Sequence, residues 1–395
     1  MKLTHDPLSP ESSVLLNIIR LVACEMVVIG HFLTKYQPAL NTASFTFGST
    51  LGGVAVLLFF ALSGLLICYS LLNKIENKQY RFRNFLVDRF SRIYSGLLPA
   101  LLLTAVFVLA IYFTNQSYFA SLCTMQSTPS LLNFGMTLVM LARFPASQFG
   151  LSLPFPVVTP FGFNGILWTL VVEWWVYMFF GWFAIGSLGL MGKRERHKLY
   201  WVLFFAVAAS LSLVMVTLFQ EYSSFIIVWF VGALMMLAIK SSSVNNKLSS
   251  GVTRKILGGV LLFFSAITLL DIYITFVWTR QYYDVFLGIL LSMCIFLSVL
   301  LLNGKNSEAL SKLILNKKFV SSVTIGAGFS YTLFLTHYPI VVFLNGLNLS
   351  FNRFYFIVPI LLITNATAFA IAYFTEKKHN QLAAAIKRLL HIHQC

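Results

Sequence analysis

Long apolar runs alternate along the chain with short segments that hold nearly all of its charge. The runs fall at about 13–34, 50–73, 94–114, 165–190, 199–219, 223–240, 256–277, 284–303, 325–345 and 354–375. Each is long enough to cross about 30 Å of hydrocarbon as a helix. The pattern predicts an all-α membrane protein, a bundle of about ten transmembrane helices forming a single domain over residues 1–395. Composition agrees: 58% of residues are apolar and 10% charged, against about 25% charged in soluble domains.

The charges sort by side. Of the 28 lysines and arginines, only Lys35, Arg143, Arg280 and Arg353 fall on one side of the predicted membrane, and Arg20 lies inside the first span. The other 23 share the opposite side, which the positive-inside rule assigns to the cytoplasm. Both termini are then cytoplasmic, as an even number of spans requires. The net charge of +16 therefore expresses topology and attraction to anionic membrane lipids, and nucleic acid is not an expected partner. The N-terminal MKLTHDPLSPESS lacks the basic start and small-residue cleavage site of a signal peptide, so the first span is expected to be retained. Five cysteines show no CxxC or Cys/His spacing, and no metal is expected.

The loop at 115–164 is long. It contains the apolar LLNFGMTLVMLAR, too short to span, followed by a Pro-rich stretch. A re-entrant or interfacial helix fits the first part. The whole loop is either a lid over an outward-facing site or a structural cap.

Ionisable groups within spans are costly and mark candidate function. Here they are Arg20, Glu25, His31, Glu173, Asp271 and His337. Arg20 and His31 are eleven residues apart, three helical turns plus about 20°, so they share one face about 16 Å apart along the axis. Glu25 lies off that face and reads as half of a structural ion pair. Singly, Arg20 could snorkel to the interface and His31 could be interfacial; together they describe a polar seam. Glu173, in LWTLVVEWWVY, counts eight or nine residues from the outer end of its span, with Tyr177 one turn further on the same face. A structural pairing with an arginine is the alternative for Glu173. Asp271 and His337 read as hydrogen-bonded structural groups. In DRFSRIY, Arg89 and Arg92 share a face at the cytoplasmic surface. They are either ordinary positive-inside charge or recognition elements for phosphates, which the planar guanidinium fork suits.

These residues resemble the acyltransferase 3 family of integral membrane O-acyltransferases. The likeness rests on Arg20 and His31 as R-x10-H and on FFALSG with Ser63 and Gly64. It continues with Arg89, Arg92 and Ile93 as R-x-x-R-I, and with Trp168, Glu173 and Tyr177 of WTLVVEWWVY. It ends with Ser330, Tyr331, His337 and Pro339 of SYTLFLTHYP. Departures are Ser95 where the family often has proline, Glu376-Lys377-Lys378 without the usual proline, and Glu25 at a usually apolar position. The absence of an appended extracytoplasmic domain resembles the stand-alone members.

The resemblance implies transfer of an acyl group, commonly acetyl, from acetyl-CoA or another acyl-CoA. The implied acceptor is a hydroxyl of an envelope polysaccharide or lipid-linked sugar, at a bacterial inner membrane. Such a reaction needs a general base for the hydroxyl. His31 is the expected base, with Glu173 orienting its imidazole. Arg20 would hold donor phosphate or stabilise the developing oxyanion. Arg89 and Arg92 would bind the CoA phosphates, with Ser63, Trp168, Tyr177, Tyr331 and His337 supporting. The rival reading is a transporter or flippase for a glycan or anionic metabolite, against which no internal repeat is evident.

Overall fold

The computed structural model describes residues 8–36, 42–75, 80–125, 129–142, 159–190, 206–212, 214, 223–240, 251–278, 285–303, 311–312, 314–347 and 356–392. Those residues are overwhelmingly helical and contain no strand. Their helices are α1 (Pro10–Tyr36), α2 (Thr42–Lys74), α3 (Phe82–Thr114), α4 (Gln116–Met125), α5 (Leu131–Leu138), α6 (Trp168–Leu190), α7 (Ser223–Lys240), α8 (Gly251–Trp278), α9 (Val285–Asn303), α10 (Lys317–Gly346), α11 (Ile357–Phe374) and α12 (His379–Leu389). Among the described residues, eight helical stretches are long and apolar enough to cross a membrane. This is a multi-pass all-α membrane protein. Helix α7 matches the predicted span at 223–240. The span expected at 199–219 is described only at 206–212 and 214, which are helical.

Contacts divide the chain into two compact units. The first comprises Met1–Ser70 and Ser224–Tyr331, the second Leu71–Ser223 and Thr332–Cys395. In the first, the start of α1 is fastened to the end of α9. Ser9 accepts from the Ser12 N–H at 3.1 Å as a helix cap, with Pro10 following in the first turn. The Ser9 N–H and the Ser12 hydroxyl both donate to Asn303 Oδ1, at 2.9 and 2.8 Å. The Ser311 hydroxyl donates to Glu11 at 2.8 Å, so that acid is satisfied where it enters the bundle. The start of α8 lies at the same end, since Arg254 reaches the Leu301 carbonyl at 3.4 Å.

In the second unit α3 begins twelve residues before the apolar run at 94–114. RFRNFLVDRFSRIY is amphipathic, and its Asn84, Phe85, Val87, Asp88 and Ser91 are buried, so packing extends the helix through a segment whose charge reads as loop. Two lysines lie over aromatic rings at the end of α11: Lys377 over those of Phe369 and Tyr373, and Lys378 over Phe374. The helix breaks at Thr375, makes a 3-10 turn at Glu376–Lys378, and continues as α12.

The outer loop folds back on α3. Asn115 ends α3 and starts α4: its Oδ1 accepts from the Tyr118 N–H at 3.0 Å, and its Nδ2 donates to the Gly346 carbonyl at 2.8 Å. Helix α5 then descends. Its last carbonyl, that of Leu138, is capped by the Tyr94 hydroxyl at 2.6 Å, and just beyond it the Met140 carbonyl accepts from the Trp175 indole N–H at 2.8 Å. Tyr94 stands twenty residues before Thr114, about 30 Å along the α3 axis, so α5 reaches far down that helix. Most of the Pro-rich stretch, and with it the lid reading, lies outside the described residues.

Candidate active site

In the first unit Arg20 and His31 sit on α1, each half-buried. At about 100° per residue, their shared direction is bracketed by Ala23, Cys24, Val27 and Val28, none more than 1% exposed. Val22, on the opposite side, is 49% exposed. The pair therefore occupies the protein-facing stripe of α1. That stripe meets the first half of α10: the Cys24 thiol donates to the Ser330 carbonyl at 3.1 Å. Glu25 lies to one side and is half-buried too.

In the second unit, α3 and the segment 162–185 run antiparallel, and four contacts fix their register. Phe82 stacks on Trp182 with ring centroids 3.5 Å apart. The Phe85 ring lies against Gly181. Tyr94 meets Trp174 edge-on at 6.2 Å. The Asn164 amide donates to the Thr104 hydroxyl at 3.3 Å. Interpolation sets Tyr177 level with Arg89 and Phe90, and Glu173 level with Tyr94 and Ser95. Glu173 lies within the apolar helical stretch Gly165–Ile185, where the sequence count places it. Because the loop descends before α6 begins, α6 starts level with Ala100, and Glu173 lies about 30 Å along α3 from Thr114.

The basic end of α3 carries a buried polar cluster that sequence counting misses. Asp88, 8% exposed, is held by Lys74 of α2 at 2.6 Å and by Lys387 of α12 at 2.7 Å, and accepts from the Tyr80 hydroxyl at 3.1 Å. Glu376, 1% exposed, pairs with Arg92 at 2.8 Å. Its other oxygen accepts from the N–H and hydroxyl of Thr332 at 3.0 and 2.7 Å. His379 opens α12, its Nδ1 2.7 Å from the Glu376 carbonyl oxygen. Arg89 lies 5.7 Å from the centre of the Phe85 ring. Its Nε is buried and makes no hydrogen bond among the described residues. Thus Arg89, Arg92 and Tyr177 share one level of the second unit with Glu376 and His379, Glu173 lies about one helical turn further along α3, and Arg20 and His31 share the α1 stripe of the first.

The comparisons bear directly on these motifs. A family model described as an acyltransferase domain, acyltransferase 3, matches residues 14–374. The chain belongs to the acyltransferase 3 family. An O-acetyl transferase of Shigella phage Sf6 is 27% identical over 163 residues, covering 41% of this chain and 43% of that relative. No solved structure matches the chain.

The motifs that resemble the acyltransferase 3 pattern also have local structural work. In FFALSG, Ser63 accepts from the Trp229 indole at 3.2 Å. A Cβ on Gly64 would collide with the Trp229 carbonyl, and one on Gly232 with the Ala61 carbonyl, so α2 and α7 cross backbone to backbone. In SYTLFLTHYP, Pro339 has no N–H for the Leu335 carbonyl four residues earlier. Asn164 supplies the missing donor, its amide reaching Leu335 O at 3.0 Å. The preceding turn needs Gly162, whose φ of +60 and closeness to Thr104 exclude a side chain. His337, fully buried, has its Nδ1 3.1 Å from the Leu333 carbonyl, a one-turn helical bond. Tyr331 and Trp168 are half-buried, in the first and second units respectively.

Sequence reasoning passed over Asn164, Asp88 and His379, and treated Glu376 only as part of a departing motif. A faint signal existed for two of them: Asp88 and Glu376 are lone acids inside otherwise basic segments.

Proposed function

We propose that the protein is a membrane O-acyltransferase acting as a single domain over both units. It would move an acyl group, acetyl by its likeness to the phage O-acetyl transferase, from a cytosolic acyl-CoA to a hydroxyl of an envelope glycan or lipid-linked sugar. A bacterial inner membrane, with both termini cytoplasmic, is the setting proposed from the charge asymmetry. The hydroxyl oxygen attacks the thioester carbon, its proton passes to a base, and the C–S bond breaks to release CoA thiolate, which is reprotonated. His31 is the proposed base, and Arg20, on the same protein-facing stripe, is the proposed partner for the oxyanion or a donor phosphate. The proposed donor end is the basic base of α3.

The observation that carries this reading is Arg89, a cation whose buried Nε makes no hydrogen bond among the described residues, where Asp88 and Glu376 are already paired. An anionic cosubstrate completes such a cluster. Orientation of His31 by Glu173 is a separate proposal, tested by whether the activity losses of His31→Ala and Glu173→Gln are non-additive.

The test compares wild type and His31→Ala at matched membrane levels in a strain lacking the gene, with alkali-labile O-acyl groups on isolated glycans measured by proton NMR. The wild type should restore an acyl signal, and His31→Ala should lower it by on the order of a hundredfold or more. A well-inserted His31→Ala protein with full activity would remove His31 from the mechanism. Failure of the wild type to add any acyl group would remove the glycan acceptor.

A further inference from the structure

The base of the second unit distributes its charges unevenly. Asp88 is shared by Lys74 and Lys387 at 2.6 and 2.7 Å, and Glu376 is shared by Arg92 and Thr332. Arg92 therefore has its counter-charge within the protein. Arg89, three residues away, has a ring beneath it and no ion-pair partner among the described residues. Beside them stands His379, half-buried, close enough to interact electrostatically with Arg89, Arg92 and Glu376. The 2.7 Å approach to the Glu376 carbonyl requires a hydrogen on Nδ1, so Nε2, across the ring, is left for another partner.

We infer that Arg89 and His379 are the phosphate-contacting pair of the donor site, and that Arg92 is a positioning residue that acts through Glu376. The inference rests on the acyl-CoA reading above and divides the two arginines by role. Arg92 holds the Glu376 carboxylate, Glu376 holds Thr332 and, through its own carbonyl, the His379 ring. Arg89 and His379 then meet a phosphate oxygen of CoA.

With Nδ1 carrying its hydrogen, neutral His379 presents a lone pair at Nε2, which repels a phosphate oxygen. Protonated His379 presents a second N–H donor. Binding is thereby coupled to uptake of one proton by His379. The charged groups facing it are Arg89 and Arg92 from α3 and Glu376 from the preceding turn. Asp88, also on α3, is already shared by its two lysines.

The experiment is equilibrium binding of coenzyme A to the purified full chain in detergent, at about pH 6 and about pH 8, which bracket histidine titration. Wild type should bind CoA about tenfold more tightly at the lower pH. His379→Gln should abolish that difference while keeping the wild-type melting temperature. Arg89→Gln should weaken binding at both values. Arg92→Leu should weaken binding and erase the pH difference together, and Arg92→Lys, which can re-form the pair with Glu376, should restore both. A His379→Gln protein with the wild-type pH difference overturns the inference while the acyl-CoA reading stands. Arg92→Lys behaving like Arg92→Leu overturns the division of roles. A wild type that binds no CoA at either pH overturns the acyl-CoA reading and this inference with it.

Discussion

Helices α8 and α10 differ in a way opposite to the habit of soluble proteins. In its most apolar stretch α8 is only 17% buried, whereas α10 is 78% buried and the less apolar of the two. Leu262, Leu269 and Tyr273 of α8 are 73%, 68% and 63% exposed, while Thr332, Thr336 and His337 of α10 are fully buried. Against lipid, an apolar side chain gains nothing by turning inward, and a polar one must find a partner inside the protein. Position is therefore decided by polar satisfaction. Buried polar groups near α10 find such partners: Thr336 donates to the Thr332 carbonyl at 2.8 Å, Thr332 to Glu376 at 2.7 Å, and Leu335 O receives Asn164 at 3.0 Å.

If that contrast is right, changes that orphan a polar group near α10 should cost most. Glu376→Leu leaves the Arg92 charge without its carboxylate and should destabilise by about 3–5 kcal/mol, seen as a large fall in melting temperature in detergent. The double variant Arg92→Leu/Glu376→Leu should regain much of the loss, and no recovery would show that the carboxylate has another task. Asn164→Leu removes the donor that replaces the missing proline N–H and should cost about 1–3 kcal/mol. With Pro339→Ala in place, the backbone can supply that donor, so the cost of Asn164→Leu should shrink. Additive losses would break this explanation of the pair.

Packing alone gives the sharper contrast. Leu335→Ala, at a site with no exposure, should cost about 2–5 kcal/mol through the cavity it leaves. Leu262→Ala on α8 should change stability by less than about 0.5 kcal/mol. A comparable loss at Leu262 would mean that α8 packs against another protein surface.

Much of this was legible in the sequence because it lies within single helices. Apolar runs mark the spans, and the eleven-residue interval puts Arg20 and His31 on one stripe whatever the neighbours do. What was not legible depends on pairing between distant segments. Glu376 sits beside Lys377 and Lys378 and reads as surface charge until the chain turns it onto Arg92 and Thr332. The level at which α6 meets α3 is hidden for the same reason, because α5 and Asn164 carry the chain partway along α3 before α6 begins. Asn164 itself has meaning only beside Pro339, 175 positions further on by their numbering.

The bond from Lys387 to Asp88 closes an interval of 299 positions, and this has a consequence for biosynthesis. A ribosome adding about 5–20 residues per second delivers the lysine tens of seconds after the aspartate has left it. Until then Asp88 has only its neighbours Lys74 and Tyr80, and Arg92 waits equally for Glu376. A nascent chain stopped before that point presents incompletely matched charges at the basic end of α3, a mark by which quality control would tell an unfinished molecule from a finished one.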